Sequence, residues 1–320
     1  MGGNLVTICV TTYNRRESLP LTLKSILSQT YTNIEVIIVD DYSTDGTKKL
    51  VESKLLKLDD RIRYIRHEKN KGLAAGRNTA INSAKGKYFT FCDDDDEWDS
   101  NFLNLFVDAA KGYDDEYVFC ASSISNKISV FGIEASLKKL LILGYTPPVA
   151  SQFYITTTLK RVGGYDQNIT SGVDHDLWLN LASNNSKIFW LNQNLVIVNQ
   201  VESVNRITFN EEKRIKGIEA SLEIWRKRMK NSFNVVFFNC LEKNYKYNSH
   251  KKFMRSSLKN KAYIQFLLHF YQLPKYLFLL DIKRYVANRL NSEISLKFPV
   301  FFSCGKEASN TDLEIKLLEG

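Results

Sequence analysis

The chain is poor in cysteine and has no long apolar run, and both absences narrow what it can be. Its five cysteines, Cys9, Cys92, Cys120, Cys240 and Cys304, are scattered over 320 residues without paired spacing. That excludes a disulfide framework and a zinc-site pattern. Cys9 and Cys92 stand inside apolar runs and read as buried free thiols of a reducing compartment. No stretch of about 20 uninterrupted apolar residues exists, so no membrane-spanning helix is expected. The first residues lack a basic start followed by a long apolar core. Leu5–Val10 is short and reads as a strand, so the expectation is a protein that stays in the cytoplasm. Repeats and low-complexity tracts are also missing. With 44% apolar and 25% charged residues, the composition is that of a folded globular protein.

The net charge of +9 is unevenly spread. Residues 1–205 hold 22 Lys/Arg against 24 Asp/Glu, whereas residues 206–320 hold 22 against 11. The excess positive charge therefore belongs to the C-terminal third, where an anionic membrane or nucleic acid would be its natural partner.

Up to residue 120, short apolar runs alternate with helical patterns. Leu5–Thr11, Ile34–Val39, Arg63–Arg66 and Tyr88–Cys92 read as strands; Ser18–Ser28, Thr47–Leu58 and Leu73–Ala84 read as helices. Pro20 suits the first turn of its helix, and Ile34–Val39 has the continuous apolar character of a buried parallel strand. Alternating strands and helices imply right-handed crossovers and a mostly parallel sheet. In such sheets ligands bind beyond the carboxyl ends of the strands. The segments Thr11–Asn14, Asp40-Asp41 and Asp93–Asp96 should therefore line the site. Further on, Tyr117–Ser122, Ile188–Leu191 and Val196–Asn199 read as strands, and Ile133–Leu143 and Asp174–Ala182 as helices. A boundary falls near residues 200–210, which divides the chain into 1–205 and 206–320. Beyond it, Glu211–Lys230, Phe233–Tyr245, Phe253–Tyr271 and Tyr276–Leu290 favour helix.

Asp93-Asp94-Asp95-Asp96-Glu97 puts five acids in a row after a strand. They repel one another, and a divalent cation is the simplest remedy. Hard oxygen ligands suit Mg²⁺ or Mn²⁺, with diphosphate oxygens completing the shell. A solvated acidic loop or helix start is the alternative. Asp40-Asp41 could accept hydrogen bonds from a base or ribose, or merely begin a turn. Tyr13 could stack on a base while Thr11 offers a hydroxyl; a plain polar loop is the simpler reading. In Asn70–Asn78, Gly72 and Gly76 permit close backbone approach, and Lys71 and Arg77 supply charge. The run lacks the Gly-Lys-Ser/Thr ending of a nucleotide-hydrolase phosphate loop. Asp174 and Asp176, two apart at a helix start, must point in different directions. One can face the site while the other caps or braces.

In order along the chain, these segments resemble glycosyltransferase family 2, the inverting enzymes with the GT-A fold. They are Thr-Thr-Tyr-Asn-Arg, Ile-Val-Asp-Asp-Tyr-Ser-Thr-Asp-Gly-Thr, Asn-Lys-Gly-Leu-Ala-Ala-Gly-Arg-Asn, Phe-Cys-Asp-Asp-Asp-Asp-Glu-Trp, Gly-Gly-Tyr-Asp and Asp-His-Asp-Leu-Trp-Leu. The resemblance covers roughly residues 4–200. It implies an α/β fold with a Rossmann-like sheet flanked by helices, and transfer of a hexose from a UDP-sugar to a saccharide acceptor. By this resemblance Thr11, Tyr13 and Asp41 would hold the uracil end, and Arg77 would lie near the nucleotide. Asp93 and Asp95 match the ends of the Asp-x-Asp motif and would meet the ribose and the Mn²⁺ or Mg²⁺, with Asp95 the direct ligand and Asp94 beside the donor. Asp174 matches the catalytic base of the Glu-Asp motif. Val173 stands where the family often has Glu, which leaves Asp176 as a rival. Gly163-Gly164-Tyr165-Asp166 matches a loop that approaches the acceptor.

The C-terminal third lies outside the resemblance. Lys243–Arg289 holds eleven Lys/Arg and one acid, Asp281, interleaved with aromatic residues and leucine. Such helices suit an anionic membrane surface. The expectation is a peripheral enzyme on the inner face of the cell membrane, acting on a lipid-linked acceptor in surface polysaccharide (lipopolysaccharide or capsule) assembly, with no nucleic-acid partner. A solvated basic face or a homo-oligomer interface is the alternative reading of those helices. Two other functions compete. A sugar nucleotidyltransferase needs a Gly-rich loop after the first strand, where Thr11–Arg16 has no glycine. A non-catalytic nucleotide-sugar or membrane-binding protein would not need the acids.

Overall fold

Strand β1 (Val6–Thr12) and strand β2 (Ile34–Asp40) are apolar enough to be buried on both faces, and they pair in parallel from Val6↔Ile34 to Thr12↔Asp40. The computed structural model describes residues 3–123, 135–137, 141, 147–169, 171–198, 211–235, 237–239, 241–243 and 245–246. Strand β3 (Ile62–Arg66) extends the parallel sheet beside β2, and strand β4 (Tyr88–Phe91) lies on the other side of β1. The helices between them are α1 (Leu19–Leu27), α2 (Thr47–Ser53) and α3 (Leu73–Ser83).

The second half of the sheet is mixed. Its order is β3-β2-β1-β4-β8-β6-β9-β5, with β7 paired to β9. These strands are β5 (Asp96–Trp98), β6 (Tyr117–Ser123), β7 (Ala135–Ser136), β8 (Gln152–Ile155) and β9 (Lys187–Val198). Strand β8 runs antiparallel to β4 and β6, while β6 and β9 are parallel. Helix α4 (Phe102–Ala109) follows β5, α5 (Thr156–Arg161) follows β8, α6 (Val173–Ser183) precedes β9, and α7 (Glu211–Arg228) follows it.

Alternate residues of each strand feed two cores. Ile8, Val10, Val36 and Ile38 pack with α1, α2 and α4; Cys9, Ile37, Val39 and Phe91 pack with α3, α6 and α7. The second core runs on through Ile218, Leu222, Trp225, Phe237 and Tyr245. Residues on both sides of position 205 thus share one core.

Several elements differ from expectation. The helix read as Thr47–Leu58 ends at Ser53 and passes into a 3-10 turn at Leu55–Lys57. The two strands expected at 188–191 and 196–199 are one, Lys187–Val198. Ala135–Ser136, inside the expected Ile133–Leu143 helix, is a strand because it finds an edge at Ile188 and Lys187. Most of that stretch, and both helices expected over 253–290, lie outside the described residues.

Candidate active site

Parallel pairing delivers the ends of β1, β2 and β4 to one edge, so the three polar loops meet there. The Asp41 amide donates to the Thr12 carbonyl at 2.9 Å, and the Cys92 amide to the Cys9 carbonyl at 2.9 Å. Asn14 stitches the first two loops together: its amide donates to Ser43 Oγ at 2.9 Å, and its Oδ1 accepts from the Thr44 amide at 2.7 Å. Tyr13 is left 47% exposed at the mouth, and Thr11 is half-buried beneath it.

Asp40 is fully buried and structural. It accepts from the Ser43 amide at 2.7 Å, from Tyr64 Oη at 2.6 Å and from Arg66 Nη1 at 2.6 Å. Asp41 is nearly as engaged. Its Oδ1 accepts from the Lys71 amide at 2.8 Å and lies 2.8 Å from His67 Nδ1, and its Oδ2 accepts from the Gly72 amide at 2.7 Å. Asp41 therefore anchors the Asn70–Gly72 turn. His67 carries no signal of its own in the sequence, where nothing near it pairs it with Asp41.

Helix α3 comes close to β1 because its facing residues are small. A Cβ on Gly76 would meet Thr11 Cγ2 at 3.2 Å. This approach seats Arg77 beneath the site, 1% exposed, with its guanidinium carbon 5.5 Å from the Phe91 ring centre and 5.3 Å from that of Tyr165. Arg77 Nη2 donates to Asp93 Oδ1 at 3.1 Å, and Nη1 donates to Asp174 Oδ1 in a short ion pair. The arginine side chain is 2% exposed, while the two carboxylates are 39% and 43% exposed. A buried cation thus holds two acids that are only partly exposed. Burial opposes its charge, but Asp174 and Asp93 outweigh that, and the Arg77 pKa is raised well above its ordinary value.

The acids after β4 are crowded. Burial, with Asp93 and Asp95 adding to it against Thr12 and Arg15, pushes the Asp94 carboxyl up to about 7. Burial also raises Asp93, with Asp174 and Asp95 reinforcing it and Arg77 opposing. Asp95 in the same turn and Asp96 at the start of β5 are also buried. Such a set attracts protons or a cation. Among the described residues no three His, Cys, Asp or Glu side chains converge into a closed metal cage. One or two carboxylates, with water and substrate phosphate oxygens, nevertheless suit Mg²⁺ or Mn²⁺.

Asp174 and Asp176 diverge as their spacing requires. Asp174, in the first turn of α6, faces Arg77 and the cleft. Asp176 is fully buried on the other side. Asn78, next to Arg77, clamps the Gly163–Asp166 loop: its Nδ2 donates to the Tyr165 carbonyl at 2.7 Å, and its Oδ1 accepts from the Tyr165 amide at 2.9 Å. Sequence reasoning misses this role, although Asn78 lies in the conspicuous Gly-Arg-Asn run.

The family model described as Glycosyl transferase family 2 matches residues 7–158. The chain is 35% identical over 202 residues to the Escherichia coli UDP-Glc:alpha-D-GlcNAc-diphosphoundecaprenol beta-1,3-glucosyltransferase WfaP, covering 60% of this chain and 75% of that one. Of several other curated relatives it spans about a third of the length, between 30% and 39%. The fold matches S. aureus TarS 1-349, solved in complex with UDP-GlcNAc, with a TM-score of 0.61 and 19% identity over 86% of this chain and 81% of that one. It also matches the mannosyltransferase PcManGT from Pyrobaculum calidifontis, solved with GDP-Man and Mn²⁺, with a TM-score of 0.57 and 15% identity over 91% of this chain and 88% of that one.

Proposed function

Because the chain belongs to glycosyltransferase family 2, we propose that it transfers a hexose from a UDP-sugar to a lipid-linked saccharide, with inversion, in the assembly of a bacterial surface polysaccharide. The observation that carries this reading is the buried Arg77 joined to Asp93 on one side and Asp174 on the other. It sets a donor-side acid and an acid at the start of α6 on the same cleft. WfaP, by its name, acts on a lipid diphosphate-linked sugar, which supports that class of acceptor.

Inverting transfer needs one base on the acceptor side of the sugar. The acceptor hydroxyl oxygen bonds to the anomeric carbon, its proton passes to Asp174, and the bond from that carbon to the diphosphate oxygen breaks. Arg77 aims the Asp174 carboxylate into the cleft. Asp93 and Asp94 line the donor side, with Thr11, Tyr13 and Asp41 towards the base. Asp95, with Asp93, would hold Mn²⁺ or Mg²⁺, and neutralising the leaving diphosphate is the chemistry such an ion supplies.

Measuring donor hydrolysis and thermal shift across UDP-sugars with Mn²⁺ tests the reading. A donor at 100 times its dissociation constant should stabilise the fold by about 2.7 kcal/mol. Activity should vanish in excess chelator and return with Mn²⁺ or Mg²⁺; full activity in chelator removes the ion from the scheme. Asp95→Asn should weaken donor binding and turnover together. Asp174→Asn should leave donor affinity within about threefold and cut turnover about a hundredfold or more. Near-normal turnover in that variant, or a product with the donor's anomeric configuration, refutes the assignment of the base.

The charge of residues 243–290 supports a peripheral place at the inner membrane face, where the lipid acceptor lies. Among the described residues no helix is long and apolar enough to cross a membrane.

A further inference from the structure

We infer that helix α7 positions the catalytic machinery: it holds the segment bearing Asp174, and the acceptor-side loop beside it, with Ser221 acting on the Ser171 carbonyl and Trp225 and Arg228 on the buried carboxylate of Asp176. The inference rests on the reading of Asp174 as the base.

Ser221, Trp225 and Arg228 are spaced i, i+4, i+7 and so lie on one face of α7. Together they reach three points of the chain around α6: Ser171, Asp176 and Asp166. Ser221 Oγ donates to the Ser171 carbonyl at 2.7 Å. The Trp225 ring covers Gly172, which caps α6 with φ +76°; a Cβ there would come within 3.2 Å of Trp225 Cη2. Trp225 Nε1 donates to Asp176 Oδ1 at 2.9 Å, and Arg228 Nη2 donates to the same oxygen. Arg228 Nη1 donates to Asp166 Oδ2 at 2.8 Å, and the Asp166 amide donates to Asp176 Oδ2 at 2.9 Å.

Asp176 thus receives three donors from two other segments while fully buried. Shifting it far enough to break these bonds would leave buried donors unpaired. Asp174 is two residues away on the same helical turn, so its backbone is fixed wherever Asp176 is fixed. Arg77 orients the Asp174 side chain; α7 sets where that side chain starts from.

Adhesion alone does not require this arrangement. Ile218, Leu222 and Met229 of the α7 segment already bury apolar surface in the shared core. Apolar burial is non-directional, whereas hydrogen bonds fix direction and distance. The polar face of α7 is directed at the Ser171–Asp176 turn and the Gly163–Asp166 loop, the two segments that would meet the acceptor. Among the described residues, the hydrogen bonds of these three side chains reach none of the loops after β1, β2 and β4. A defect in α7 should therefore slow transfer and spare donor binding.

The test uses the full chain with Trp225→Phe, which keeps an aromatic side chain but loses Nε1–H and part of the indole's volume, and Arg228→Met, which keeps much of the apolar stem but loses both ion pairs. Turnover, acceptor KM and donor Kd are measured well below each variant's melting temperature. Misplacing a reacting group by about 1 Å costs about a hundredfold, so the expected fall in kcat is at least tenfold, with donor Kd within twofold and partial recovery in Arg228→Lys. Turnover within twofold of the parent in both variants overturns the inference. So does a fall in kcat matched by an equal loss of donor affinity. If Trp225→Phe fails to fold, the Arg228 pair decides alone, because that side chain is 30% exposed. Asp174→Asn is assayed alongside. If it retains turnover, the reading of the base fails; if it is inactive while the α7 variants are normal, only the positioning role fails.

Discussion

Gly164 and Asn78 show how little room the Gly163–Asp166 loop has. Gly164 adopts φ +65°, and a Cβ there would come within 2.4 Å of Asn78 Oδ1, the atom that receives the Tyr165 amide. Gly164→Ala should therefore cost at least roughly 1–2 kcal/mol, the strain of a left-handed residue, visible as a lower denaturation midpoint; an unchanged midpoint would mean that the loop relaxes freely. Asp94 makes a second residue-scale prediction. Its carboxyl is pushed up to about 7, chiefly by burial, so between about pH 4 and pH 7 the folded state holds a proton that the unfolded chain releases. Stability must then fall as pH rises through that window, by about 1.4 kcal/mol for each tenfold difference in proton affinity between the two states. Without divalent cations, Asp94→Asn should flatten the decline; a variant as steep as the parent would show that Asp94 titrates normally. The thiols follow the same physics. Burial pushes Cys9 up to about 12 and raises Cys92 and Cys120 well above the ordinary range. Peptide mapping after alkylation should find these three unlabelled in the native protein and labelled after unfolding.

At the scale of elements, the most consequential contact is between α6 and α7. Asp176 carries an uncompensated charge once its partners are removed, and breaking a buried pair typically costs about 3–5 kcal/mol. Asp176→Ala should reverse the problem, orphaning Trp225 Nε1 and Arg228, and lower stability by a similar amount in equilibrium unfolding. A loss below about 1 kcal/mol would mean that water replaces the carboxylate. The N-terminal strands are legible because their signals are local: Ile34–Asp40 is apolar almost throughout, and Pro20 marks the first turn of α1. The regions from 99 to 116 and from 149 to 161 receive no element from the sequence reading, yet α4, β8 and α5 form there. Phe102, Leu103, Phe106 and Val107 make a clear helical stripe that the reading passes over. Strand β8 is four residues long and exists because β4 and β6 flank it.

For the whole molecule, the shared core decides where the enzyme can be divided. Ile218, Leu222, Trp225 and Tyr245 pack with Phe91, Leu177 and Trp178. A chain ending at residue 205 would expose that face, and it should lose cooperative unfolding or aggregate. A soluble, cooperatively unfolding 1–205 fragment would show instead that the first part is self-sufficient. The charge asymmetry makes the other prediction at this scale. Each Lys or Arg near an anionic surface contributes about 1 kcal/mol, so the protein should bind anionic liposomes and be released by high salt. Equal binding to neutral liposomes, or full binding after deletion of 243–320, would remove the membrane from the account.

Alternating apolar runs, the acids after β4 and the Gly-Arg-Asn run were enough, from sequence alone, to specify the parallel half of the sheet, the family and the set of polar groups at one edge. These are properties of local pattern and of chain order. Only the tertiary structure decided which acid of a pair is buried among donors and which stays partly exposed. Asp40 and Asp41 look alike in sequence, but Asp40 is taken up by Ser43, Tyr64 and Arg66 on its side of the sheet, while Asp41 anchors the Lys71–Gly72 turn and His67. Asp174 and Asp176 also look alike, until α7, some fifty residues later, fills one with donors and leaves the other facing the cleft beside Arg77. Such partners are set by packing between elements distant in the chain, and no local pattern carries that information.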